Sequence, residues 1–128
     1  MPYTEVKSEL LFDTPAPMSQ ATLATGTRVL NISGQTAQDA AGGTVAADIE
    51  GQTEQCLKNI KALVEQAGGS LADVSRLAIY LTSRDQFPKV MEVRRRFFSA
   101  PYPATTAVIA AGLAKEEWLI EVEATAYL

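Results

Sequence analysis

The sequence predicts an α+β domain in which two helices pack on one face of a β-sheet. Three observations lead there. Residues 120–126 alternate strictly, with Ile120, Val122, Ala124 and Ala126 on one side and Glu121, Glu123 and Thr125 on the other; a period of two marks a half-buried strand. Residues 48 to about 67 carry an apolar stripe at three- and four-residue spacing, the pattern of an amphipathic helix. The elements then run strands, helix, strand, helix, strands, an order that suits helices gathered on one sheet face. With 128 residues the chain reads as one domain, 1–128.

Taken in order, residues 3–7 open as a strand. Pro15, Pro17 and the small polar residues after them lead irregularly into a second extended piece, and Thr25-Gly26 is a turn signal. Arg28 to Ser33 forms the next strand, with Leu30 and Ile32 on one face and Asn31 and Ser33 on the other. Residues 38–48, with Gly42-Gly43, read as a loop. Asp48 caps the first long helix, whose stripe is Ile49, Cys56, Leu57, Ile60, Leu63, Val64 and Ala67. Glu54 and Lys58 form an i,i+4 pair on its wet side, and Gly68-Gly69 stops it. Val74 to Thr82 is a strand with Leu77, Ile79 and Leu81 facing one way and Arg76, Ala78 and Tyr80 the other. A second helix, capped by Ser83 or Asp85, takes Phe87, Val90, Met91, Arg94, Phe97 and Phe98 inward. Pro101 and Pro103 end it and begin the closing strands.

Composition narrows the chemistry. There is no histidine and a single cysteine. The usual zinc sites and the Ser-His-Asp and Cys-His nucleophile systems are therefore unavailable in their standard forms, and no metal site is expected. Cys56, on the helix stripe, is expected to be a packed core thiol. One cysteine makes no internal disulfide, which fits a reducing cytoplasm. The net charge of −4 argues against nucleic acid as a partner. No signal peptide or membrane-length apolar run is evident.

Ala124 and Ala126 let a helix lie close to the last strand. The opposite face, carrying Asn31, Ser33, Arg76, Tyr80, Glu121 and Glu123, is left without a cover in so short a chain. An oligomer interface with ligand clefts between subunits is the expectation. Glu123 is expected to pair with Arg76 or Lys115.

At this point the chain resembles the YjgF/Rid family of reactive-intermediate (enamine and imine) deaminases. The residues that carry the resemblance are Ser33-Gly34-Gln35, Gln52 to Ile60, Val64 to Val74, Ile79 to Thr82, Phe97-Phe98, Pro103-Ala104-Thr105-Thr106 and Ile120 to Ala124. The resemblance implies a chorismate-mutase-like fold, a mixed sheet backed by two helices, assembled as a homotrimer with a barrel-like core. It implies hydrolysis of 2-imino or enamine acids to a keto acid and ammonia in the intersubunit clefts. No metal, organic cofactor, nucleic acid or membrane is implied as a partner. Glu121 matches the family's water-orienting glutamate, and Ser33-Gly34 its cleft-lining turn.

Two positions depart from the pattern. The family's closing motif places an arginine after Pro-Ala, where it holds the substrate carboxylate as a bidentate fork; here Thr105 stands there, followed by Thr106. Met18 stands where many members carry a tyrosine. Losing the fork removes bonds worth about 1.5–3 kcal/mol each, so ordinary 2-imino acid deamination is not expected to carry over unchanged. Arg94, on the inner stripe of the second helix, is a candidate replacement, ahead of Arg76 and Arg84. Three classes compete: a Rid-type enzyme with an altered substrate, a non-catalytic trimeric metabolite-binding module, and a tautomerase using Pro2, whose amine is blocked while Met1 is retained.

Overall fold

The structure, a computed structural model, describes residues 3–128; Pro2, and the tautomerase reading with it, lies outside the described residues. Strands β1 (Tyr3–Val6) and β2 (Ala21–Ala24) pair antiparallel as a separate two-stranded ribbon. The main sheet holds β3 (Val29–Gln35), β4 (Val74–Leu81), β5 (Ala104–Ile109) and β6 (Ile120–Tyr127) in the order β3-β6-β4-β5. β6 runs antiparallel to both its neighbours, whereas β4 and β5 are parallel. The parallel pair follows from its connection, because helix α2 (Phe87–Phe97) carries the chain back across the sheet. Helix α1 is Ile49–Gln66. The α+β expectation and the helix-backed mixed sheet hold; the opening strands, however, do not extend that sheet.

The two periodicities meet in one core. Leu77, Ile79 and Leu81 of β4 and Ile120, Val122, Ala124 and Ala126 of β6 are buried against Cys56, Leu57, Ile60 and Val64 of α1 and Val90 and Val93 of α2. Small Ala124 and Ala126 sit where α1 approaches, as expected. Leu63 departs from the expected stripe: it is 42% exposed, because Val64 takes the inward position. Asp48 occupies the N-cap position of α1 with extended φ and ψ, but its side chain makes no cap hydrogen bond. Gly68, at φ +95°, ends the helix in the left-handed region open to glycine. Ahead of α2, the Ser83 amide donates to Gln86 Oε1 (3.1 Å). Glu54 and Lys58 pair at 3.0 Å on the exposed side of α1.

Cys56 is fully buried, and burial, helped by the nearby Glu121 charge, pushes its thiol up to about 12. A thiolate is required for reaction with disulfide reagents. The native protein is therefore expected to give almost no colour with such a reagent at pH 8, and one full equivalent in denaturant. Prompt reaction of the native protein would show that the α1–β6 contact opens readily.

Candidate functional site

The first cluster forms where β3 departs from regular pairing. Ile32 lies opposite Ala124 and Gln35 opposite Val122, so β3 holds one extra residue at Ser33-Gly34, a β-bulge of the kind that re-aims side chains. The half-buried Glu121 side chain is laid across Gly34. A Cβ at that position would lie 2.0 Å from Glu121 Oε2, 2.8 Å from Cδ and 2.9 Å from Cγ. Glycine is required here by the carboxylate's approach, since Gly34 is not among the glycines with positive φ. Gly34→Ala is thus expected to move the carboxylate at a stability cost of only about 1 kcal/mol. Any turnover or ligand binding that depends on Glu121 should fall at least about tenfold. The pair of measurements is a melting curve and an affinity or rate; equal losses in Gly34→Ala and in an unrelated surface variant would refute the local role.

Helix α1 holds the chain on both sides of this cluster. Asn59 Nδ2 donates to the carbonyls of Thr36 (3.1 Å) and Gln38 (3.0 Å), and Gln55 Nε2 donates to Asn59 Oδ1 (2.8 Å). Gln52, fully buried, donates through Nε2 to the carbonyls of Glu117 (2.8 Å) and Ala46 (3.2 Å), while its Oε1 accepts from the Leu119 amide (2.8 Å). Thus α1 fixes the segment that leaves the β3 bulge and the one that enters β6. Sequence reasoning missed these roles. The signal was present: Gln52, Cys56 and Asn59, at i, i+4 and i+7, place two amides on the buried face of the helix.

Glu123, two residues along β6 on the same face, accepts from the Tyr80 hydroxyl at 2.5 Å. That bond, more than burial, raises the Tyr80 pKa. The expected ion pairs of Glu123 with Arg76 or Lys115 are absent among the described residues. Tyr80 reaches Glu123 from the neighbouring strand, and Lys115 lies 5.2 Å from the centre of the Trp118 ring.

The remaining site candidates gather elsewhere. The Ser19 amide donates to the Pro103 carbonyl (3.1 Å) and its hydroxyl donates to the Tyr102 carbonyl, which brings Met18 beside the start of β5. The Thr105 hydroxyl donates to the Pro103 carbonyl at 3.0 Å, so its proton is committed to the chain just ahead of β5. Thr106 is exposed on the other face of β5. Arg94 is 5% exposed and donates from Nη2 to the Pro17 carbonyl (2.8 Å). It has no carboxylate partner among the described residues, its Nε is unpartnered, and burial, with the Arg95 charge, pulls it down to about 10. Arg94 therefore clamps the Met18 segment to α2; within the protomer it does not reach Glu121.

The two clusters occupy opposite edges of the sheet. Ser33 and Gly34 are on outer strand β3, with Glu121 on its neighbour; Thr105 is on outer strand β5. Thr105 stands in register with Leu77 and Ala124, on the helix-covered face, whereas Glu121 is in register with Tyr80 on the uncovered one. Two strands and three residues separate them, about 14 Å from standard strand spacings. Within one protomer the structure brings Ser33, Gly34 and Glu121 together, and separately Met18 and Thr105. Among the described residues no group of three or more His, Cys, Asp or Glu is placed to hold a metal ion, and no helix is long and apolar enough to cross a membrane.

Comparison with known proteins places this geometry among relatives. A family model described as Endoribonuclease L-PSP matches residues 11–128. The RutC family protein PH0854 of Pyrococcus horikoshii is 45% identical over 86 residues, covering 67% of this chain and 68% of that one. A putative reactive intermediate deaminase, TdcF of Escherichia coli, is 36% identical over 87 residues, covering 66% and 67%. Among solved structures, the Rid protein YyfB from Yersinia pestis, of unknown function, superposes with a TM-score of 0.93 at 32% identity over the whole of both chains. A putative endoribonuclease from Thermotoga maritima gives 0.74 at 35% identity, covering 98% of this chain and 97% of that one.

Proposed function

Because the chain belongs to the YjgF/Rid family, we propose that it acts on or binds a small imine- or enamine-type metabolite, or a related molecule, in clefts between the subunits of a homotrimer. The observation that carries this reading is the division of the candidate residues between the β3–β6 side of the sheet and outer strand β5. Because Glu121 and Thr105 face opposite sides of the sheet about 14 Å apart within one protomer, a cleft containing both would draw them from two protomers. Glu121, laid against the Gly34 backbone, would orient a water toward the electrophilic C=N carbon, a task within reach of one well-placed carboxylate. Ser33 and Met18 would line the cleft, and Thr106 would offer it a neutral hydroxyl.

The carboxylate-binding side is the weaker half. Thr105 carries no charge and its hydroxyl is already donated to Pro103. That observation also favours the second reading, a module that binds a metabolite in the same clefts without turning it over. The test uses 2-aminoacrylate, generated in place by a pyridoxal-dependent serine dehydratase and followed as ammonia or as the trapped semicarbazone. Slight acceleration by this chain, beside a strong one from a relative with arginine at the motif, is the expected result. A native rate equal to that relative's would refute the role given to Thr105.

A further inference from the structure

Pro15 and Pro17 have no amide hydrogen to give, so the chain between β1 and β2 is tied down there through its carbonyls and the amides around them. Helix α2 supplies the donors. Arg94 Nη2 donates to the Pro17 carbonyl (2.8 Å) and Arg95 Nη2 to the Pro15 carbonyl (3.2 Å). On its other side the segment is held to the entry of β5. The Ser19 amide donates to the Pro103 carbonyl (3.1 Å), its hydroxyl to the Tyr102 carbonyl, and Ser19 bridges Ala104 in parallel register. Met18 stands between these two anchors, half-buried where Pro17 and Ser19 are buried.

The two arginines are not equivalent. Arg95 is exposed, and water can take over its bond. Arg94 is 5% exposed, has no carboxylate partner among the described residues, and keeps an Nε with no acceptor. Burial pulls its pKa down to about 10, which leaves it charged at neutral pH. A buried guanidinium with so little compensation is costly, and an apolar side chain of similar length would fill the same space without that cost. Such a group is accounted for if the carbonyl it holds has to be held, since rules of polar satisfaction are broken chiefly at functional sites.

We propose that Arg94 is a positioning residue of the cleft: its guanidinium fixes the Pro17 carbonyl, so that Met18 and the start of β5 together form one wall against the ligand. The inference rests on the cleft reading given above. Arg94→Met keeps an unbranched side chain of good helix propensity but drops the donor. Relief of the buried charge and loss of the Pro17 bond act in opposite directions, so Tm should stay within about 4 °C of the native value. The loosened segment is read by hydrogen exchange, with the Ser19 amide expected to exchange at least about tenfold faster and the amides of β6 unchanged. Turnover of 2-aminoacrylate and affinity for pyruvate, the keto acid it yields, should each fall at least about fivefold, the loss in turnover lying in KM more than in kcat. Arg94→Lys, which still offers the carbonyl a charged donor, should restore most of both, and Arg95→Met should leave both as they are. A much lower Tm, or failure of Arg94→Met to fold, would make Arg94 a stabilising pin and overturn the proposal. So would native exchange at Ser19, or equal losses from Arg94→Met and Arg94→Lys. A native chain that neither turns over 2-aminoacrylate nor binds pyruvate would instead refute the cleft reading, and the exchange and melting of the variants alone would then decide whether Arg94 holds this segment.

Discussion

Thr105→Arg is expected to raise hydrolysis of 2-aminoacrylate by about 10²–10⁴ in kcat/KM. The magnitude comes from one bidentate guanidinium–carboxylate pair: two charge-assisted bonds at about 1.5–3 kcal/mol each, with each 1.4 kcal/mol worth a factor of ten. Most of the gain should appear as a lower KM, because the carboxylate is held alike in the ground and transition states. A smaller gain in kcat would follow from better alignment of the C=N carbon with the water at Glu121. The stability cost is modest, chiefly the lost Thr105–Pro103 bond, about 1 kcal/mol. Thr105→Lys separates charge from geometry, since an ammonium lacks the fork and should recover much less. A folded Thr105→Arg protein of unchanged oligomeric state and no added activity would refute the cleft composition proposed above.

The closing strand was legible because it lies at the centre of the sheet with one face covered. Its period of two maps directly onto burial: Ile120, Val122, Ala124 and Ala126 are all within 3% of fully buried, while Glu121, Glu123 and Thr125 are half-buried. The α1 stripe was legible for the same reason, and Ser33-Gly34 stood out through the resemblance. What periodicity does not encode is pairing between distant segments. The β1–β2 ribbon pairs only within itself and is tied to the main sheet by a contact that no periodicity announces, the Thr22 hydroxyl on the Ser75 carbonyl of β4 (2.9 Å). The acceptance of a Tyr80 hydrogen bond by Glu123 depends on the β4–β6 register. Arg94 was correctly placed on the inner side of α2, but only the fold of residues 15–19 determines what it touches there.

Gln52→Leu is expected to lower stability by about 2–4 kcal/mol, although leucine roughly preserves the volume and adds apolar surface. The buried amide serves three backbone groups at once: the carbonyls of Ala46 and Glu117 and the amide of Leu119. Ala46 and Glu117 are exposed, so their carbonyls can turn to water, but the amide of half-buried Leu119 sits at the entry to β6, where a group left unpaired costs about 1–3 kcal/mol. Ala46 adds to the effect. It sits at φ +67°, a left-handed conformation that persists only while its surroundings hold it. For a domain of this size the loss corresponds to a fall of about 8–16 °C in Tm. Function should fall as well, at temperatures where the variant is still folded, because Leu119 leads directly into Ile120 and Glu121. Gln52→Leu melting with the native protein would mean that these bonds merely replace water and contribute nothing net. A lowered Tm with an unchanged affinity for a cleft ligand would mean that the β6 register alone places Glu121. Loss of both would identify Gln52 as the link between the packing of α1 and the position of the carboxylate.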